Sequence, residues 1–325
     1  MVFTLPRADY YAFERTSHTP ERLSQAGPWD VLLSAYDETA RVQTPFEEVR
    51  AAQKVWIVHE EFGLSEVDRP RDAVPLSASF DPPAVLNFVR DIANDLRGAR
   101  VCVDITGFIR PHLLILMWAL RDVGVRSFHA IYSDPMRYIA NEYTQFTTGP
   151  IIDVVQVPGY EGLHRVPSGT EDDILVIGSG YDYEQIARAC EAKRTSKKYV
   201  VTGLPSLQPH MYQENILRID QARESIGSLP RQRLLYASAN HPFAVAQELH
   251  KLMAREREEA ATRQQEPGNF YLCPTGPKPH VLGFALYYLR ELEGSAASII
   301  YPLATSYSKL TTDGLLRTWQ YEIEL

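Results

Sequence analysis

Short apolar runs alternate with helix-patterned segments along the chain. Candidate strands fall at Val31–Ser34, Val55–Val58, Val101–Ile105, Phe128–Tyr132, Ile174–Ile177, Tyr199–Thr202, Leu234–Ala237, Phe270–Cys273 and Ser298–Tyr301. Between them, apolar residues recur at helical spacing, as in Val85, Phe88, Val89 and Ile92, or Ile186, Ala187 and Cys190. The strand runs are nearly continuous in apolar character, as expected of parallel strands buried on both faces. Strand–helix alternation of this kind predicts an α/β fold of Rossmann-like, doubly wound parallel sheets.

Four blocks also recur in the same order, which predicts an internal duplication. Asp30 to Asp37 answers Asp173 to Asp182, and Lys54-Val-Trp-Ile-Val answers Lys198-Tyr-Val-Val-Thr. Pro82-Pro-Ala-Val85 answers Pro242-Phe-Ala-Val245, each opening a helix. The longest block pairs Thr106-Gly107-Phe-Ile-Arg110-Pro111-His112 with Thr275-Gly276-Pro-Lys278-Pro279-His280, with one gap. Each copy runs into an apolar helix, reaches an Ile-Tyr strand end at Tyr132 or Tyr301, and places another tyrosine at Tyr138 or Tyr307. The expected layout is an N-terminal extension (1–28), a first half (29–150), a connection (151–171) and a second half (172–325). The second half carries an insertion near 206–232 that includes the helix-like Tyr212–Glu224. The charged run from Ala254 to Glu259 reads as a solvated helix face.

Composition narrows the function. The 325 residues are 45% hydrophobic and 23% charged, enough for a sizeable core, with a net charge of −8. That sign argues against a broad grip on duplex nucleic acid, though a local basic pocket for a small anion is compatible with it. The three cysteines, Cys102, Cys190 and Cys273, lie far apart with no CxxC, and read as buried free thiols of a reducing compartment. The N-terminus lacks the basic-then-apolar order of a signal peptide, and the longest apolar stretch, Leu113–Leu120, is too short to cross a bilayer. A cytoplasmic protein with no membrane association is expected.

The repeated turn carries the chemistry. Proline is favoured in a helix's first turn, so Arg110-Pro111 and Lys278-Pro279 each sit where a strand's carboxyl end passes into a helix, the rim at which open α/β sheets bind ligands. A cation there opposes the helix dipole unless an anion lies nearby. Helix amides, Thr106 or Thr275, Gly107 or Gly276, and the cation together form a cradle suited to phosphate or carboxylate. The alternative is that Arg110 or Lys278 pairs with Asp37, Asp134 or Asp182. His112 and His280 follow directly, either as donors to the anion, as general acid/base groups with Asp104 or Asp134, or as histidines bonded within the first turn. Gly178-Ser179-Gly180 also joins a strand to a helix and would let a ligand approach the backbone, but it lacks the third glycine of a dinucleotide fingerprint. Asp37, Asp182 and Asn240-His241 read as helix caps. Tyr138 and Tyr307 would stack on a base, wall the crevice, or belong to the core. There is no GxxxxGK[ST], HExxH or GxSxG. His59-Glu60-Glu61 is the one cluster with metal-ligand character and reads as solvated, so no metal is expected and no cofactor is assigned.

The strand, the Thr275-Gly276-Pro277-Lys278-Pro279-His280 turn and the apolar helix after it resemble the lysine-bearing turn of CARF domains, the CRISPR-associated Rossmann-like family. The likeness covers about twenty residues per half. Pro277 stands where that family commonly has threonine, and Arg110 replaces the lysine in the first copy. The C-terminal half also resembles uncharacterised bacterial proteins with a Thr-Lys-Pro turn. The family resemblance implies sensing of a cyclic oligonucleotide and a prokaryotic defence setting, the duplicated chain supplying both sides of a pseudo-two-fold pocket. Three readings follow: a sensor of a phosphorylated nucleotide-type ligand; a nucleotide hydrolase or glycosyl- or phosphoribosyl-transferring enzyme using His112 or His280; and a non-catalytic scaffold that docks a partner protein.

Overall fold

The computed structural model describes residues 9–79, 81–138, 147–163, 170–308 and 312–325. The first part of the chain runs β1 (Arg15–His18), β2 (Trp29–Ala35), α1 (Ala40–Glu48), β3 (Ala51–His59), β4 (Val74–Leu76), α2 (Pro82–Asp91), α3 (Ala93–Leu96), β5 (Val101–Asp104), α4 (Arg110–Asp122) and β6 (Ser127–Asp134). After β7 (Arg137–Tyr138) and β8 (Ile151–Gln156) come β9 (Ile174–Gly178), α5 (Tyr183–Ala192), β10 (Lys197–Gly203), α6 (Met211–Gln221), α7 (Arg223–Ile226), β11 (Leu234–Ala237), α8 (Pro242–Thr262), β12 (Phe270–Pro274), α9 (Lys278–Tyr287), β13 (Ala297–Ala304), β14 (Thr312–Asp313) and β15 (Arg317–Glu324).

Two parallel-rich sheets make a mixed α/β fold. The first runs β1-β15-β6-β5-β2-β3-β4 and the second β11-β10-β9-β12-β13-β8. Strands β6 to β4 of the first sheet and β11 to β13 of the second are parallel to their neighbours. Counted within each sheet's own run of parallel strands, the order is the same in both: third, second, first, fourth, fifth. All nine strands read from the apolar runs are present.

The sheets exchange their next strand. β8, which follows the parallel strands of the first sheet, pairs antiparallel with β13 of the second, Gln156 opposite Ile300. β15, which follows β13, pairs antiparallel with β6 over its whole length, from Arg317 opposite Asp134 to Glu324 opposite Ser127. β1 then adds to β15. Three expectations change as a result. The segment 151–171 is not only a connection, because it supplies a sheet strand. The extension 1–28 contributes an edge strand, and the chain's last strand belongs to the sheet of the first half. The 206–232 segment does hold the extra helices α6 and α7.

Alternation along the buried strands sorts residues between two faces. Leu32, Cys102 and Ile131 face the layer of α1 with Val49 and Phe46. Leu175, Ile177 and Cys273 face α5, α6 and α7 through Ile186, Cys190 and Ile219. The opposite faces of both sheets share one continuous core, in which Leu33 and Val103 of one sheet and Val176 and Leu272 of the other pack on α2, α4, α8 and α9. The layers therefore run α1, first sheet, paired helices, second sheet, α5–α7, with α4 packed on α9 at the centre. All three cysteines are buried free thiols, as expected. The run from Ala254 to Glu259 is largely solvated except at Glu256, which is buried, holds Lys197 Nζ at 2.7 Å and accepts from the Tyr199 hydroxyl. Among the described residues no helix is long and apolar enough to cross a membrane.

Candidate functional site

The two repeated turns meet. α4 begins at Arg110 and α9 at Lys278, each with proline next, and neither preceding residue, Ile109 or Pro277, offers a side-chain cap. Because α4 and α9 lie side by side, their N-termini open onto the same crevice between the sheets. Each cation reaches across to the other turn. Arg110 Nε donates to the Gly276 carbonyl at 2.7 Å, and Lys278 Nζ donates to the Thr106 carbonyl. Among the described residues, no ion pair joins Lys278 to Asp37, Asp134 or Asp182.

A third cation, which the repeat did not reveal, joins them. Arg41 in the first turn of α1 is buried, and its Nε has no hydrogen-bond partner. Arg41, Arg110 and Lys278 line one cavity, open to solvent on one side, with an enclosed volume of about 120 Å³. Asp37 is the carboxylate among its lining residues. Burial, with Arg41 and Arg110 close by, brings the Lys278 pKa down from 10.5 to about 7. A pocket that depresses a lysine in this way favours any anion that restores the missing negative charge.

Of the residues singled out from the sequence, Gly107, Arg110, Tyr138, Ser179, Gly180, Lys278 and Tyr307 line the cavity. Tyr138 stands beside Tyr132, hydroxyl to hydroxyl at 3.4 Å. Thr106, Thr275, Gly178 and Gly276 are not among the lining residues. The threonines instead tie each turn to a neighbouring strand. Thr106 Oγ1 accepts from the Ser133 amide at 3.0 Å, and Thr275 Oγ1 donates to the Gly178 carbonyl at 2.8 Å. Ser179 donates to Asn215 Oδ1 at 2.7 Å, and Asn215 Nδ2 donates to the Gly180 carbonyl at 3.0 Å, so an α6 side chain from the inserted segment fixes this rim.

The glycines have a different purpose from the one read in the sequence. A Cβ on Gly107 would stand 1.8 Å from the Ala35 carbonyl oxygen, and one on Gly180 would stand 2.2 Å from that of Thr275. They let two strand-to-helix turns press backbone against backbone.

His112 and His280 turn away from the cavity. On a helix, positions two apart point about 200° apart, so with Arg110 and Lys278 at the crevice both histidines face inward. His280 is buried, its Nε2 lies 3.1 Å from the Ser238 carbonyl, and burial pushes its pKa down to about 4. His112 is buried against His59 and Glu61. Asp104 accepts from the Thr106 amide at 3.0 Å and from Ser34 at 3.3 Å, and burial raises its pKa to about 6. Asp134 accepts from Trp319 Nε1 at 2.8 Å and pairs with Arg317 at 3.5 Å. Neither aspartate lines the cavity, so the proposed His–Asp arrangements have no access to a ligand there. Of the expected caps, His241 Nδ1 accepts from the Ala244 amide at 3.3 Å, whereas Asp182 sits at the N-cap position of α5 without a side-chain cap hydrogen bond, and Asp37 accepts the amide of Thr39, the N-cap of α1, at 2.7 Å. No protein-family model matches the chain, and no curated protein matches it.

Proposed function

We propose that the chain binds and senses a phosphorylated, nucleotide-type ligand in the crevice between two Rossmann-like halves. The observation that carries this reading is the meeting of Arg41, Arg110 and Lys278, from three helix starts, in one cavity. Three helix N-termini add their own preference for negative charge. Tyr132, Tyr138 and Tyr307 in the walls suit a base or ribose. The shared strand order and the paired turns also support an origin by internal duplication. The resemblance of the Lys278 turn to CARF domains favours a cytoplasmic regulatory role in prokaryotic defence. The buried positions of His112 and His280, turned away from the cavity, count against a hydrolytic or transferase reading that depends on them.

The test is a thermal-shift screen of the purified chain against mono-, di-, cyclic and oligonucleotides, with an Arg110→Ala/Lys278→Ala variant alongside. Ligand at about 100 times its dissociation constant adds about 2.7 kcal/mol for one site. A shift in the wild type that the folded double variant lacks is expected. No shift with any compound overturns the reading and favours a scaffold, and an equal shift in the variant overturns the assignment of the site to these two turns.

A further inference from the structure

A second polar cluster lies beside the cavity, and its residues are not among those that line it. His59 ends β3, Glu61 follows two residues later, and His112 comes from the first turn of α4. All three are buried, at 0%, 3% and 1% exposure. One donor atom from each lies within 4.8 Å of the others, the one such group of His, Cys, Asp or Glu among the described residues. His112 Nε2 stands 3.7 Å from Glu61 Oε2, beyond hydrogen-bond reach, and the two imidazole centroids are 4.1 Å apart. His59 Nδ1, Glu61 Oε2 and both His112 nitrogens are buried without a hydrogen-bond partner. Buried polar atoms are almost always paired, so four orphans at one point need a common explanation.

We propose that His59, Glu61 and His112 form a binding site for a divalent transition-metal ion, with zinc best matched to the donors. Two imidazoles and one carboxylate are a usual zinc set and leave a fourth position open. The supporting contacts of such a site are already built. Glu61 Oε1 accepts from Ser77 Oγ at 2.9 Å and from the Ser79 amide at 2.8 Å, which fixes the carboxylate and leaves Oε2 for the ion.

The site is coupled to the crevice through one amide. His59 Nε2 accepts the Ile109 N–H at 3.1 Å. If Nε2 ligates, its lone pair goes to the metal. If Nδ1 ligates, the ring proton moves to Nε2, which then cannot accept. Either way loading releases the Ile109 amide, the residue just before Arg110 at the head of α4. Metal occupancy therefore bears on one of the three cations that line the cavity.

The full chain, stripped with a chelator, would be titrated with zinc against a chromophoric competitor and, separately, with cobalt to read visible ligand-field bands. One ion per chain, cobalt bands displaced by zinc, and a zinc-dependent rise in melting temperature reversed by chelator are expected. Glu61→Gln and His112→Gln each lose at least about tenfold in zinc affinity, while His210→Gln, an exposed histidine elsewhere, binds as the wild type does. Folded variants that bind zinc like the wild type overturn the site. If the variants do not fold, the wild type decides alone: no cobalt bands and no zinc-dependent shift overturn the proposal and identify a buried glutamate–imidazole pair. These readouts involve no nucleotide, so they succeed or fail independently of the anion-binding proposal.

Discussion

Lys278→Met keeps the side chain's length at the head of α9 and removes its charge. The drop from 10.5 to about 7, set first by burial and then by Arg41, corresponds to at most about 5 kcal/mol against the protonated form. The sign follows from proton counts. Below pH 7 both folded and unfolded chains carry the proton, and the folded one bears the whole cost. Between about 7 and 10.5 the unfolded chain binds a proton that the folded chain does not, so the penalty shrinks and stability climbs with pH. Lys278 is only half-buried, so solvent screening brings the usable figure to about 2–3 kcal/mol. Losing its bond to the Thr106 carbonyl returns about 1 kcal/mol. The variant should therefore be about 1–2 kcal/mol more stable than the wild type at pH 6, read by urea denaturation with unchanged slope. The advantage should shrink as the pH rises from about 7 toward 10.5, and the ligand-induced shift should disappear. A variant that is less stable at pH 6, or a gap that does not change with pH, would refute the reasoning that the lysine is a strained cation held for an anion.

Gly107→Ala forces a methyl group to within 1.8 Å of the Ala35 carbonyl, where backbone must move. A loss of about 3 kcal/mol or more in thermal or urea unfolding is expected, and a loss under 1 kcal/mol would show that the turns are not pressed together. Asp134→Ala leaves the Trp319 indole N–H without its acceptor and should cost about 1–3 kcal/mol. It should speed amide exchange along β15 while sparing the ligand-induced shift. Loss of that shift in a folded Asp134→Ala protein would instead give this aspartate a place at the ligand.

What was legible in the sequence followed from burial. Strands buried on both faces, such as Ile174–Gly178 and Phe270–Pro274, spell continuous apolar runs and could be placed to within a residue or two. β8 has the half-exposed sequence Ile-Ile-Asp-Val-Val-Gln, and β15 alternates polar and apolar residues from Arg317 to Glu324. Neither looks like the parallel strands beside it, and their partners lie more than a hundred residues away, so the exchange left no local mark. Arg110 and Lys278 stand out in the sequence because they recur. Arg41 does not, because the equivalent position, four residues after Asp182, is Ile186. The inward placement of the histidines is itself implicit in the sequence, since a residue two positions beyond a cavity-facing Arg110 points to the other side of the helix. His59 and Glu61 looked like an exposed strand end, and only the fold brings His112 onto them.

The strand exchange has a consequence for how the chain can be divided. Each sheet is completed by a strand from the other run of the chain, β8 on β13 and β15 on β6. A cut between β8 and β9 would therefore leave two fragments, each with an open sheet edge at β6 or β13 that only the other fragment can fill. The two runs are thus not independent folding units, although each holds a complete set of five parallel strands.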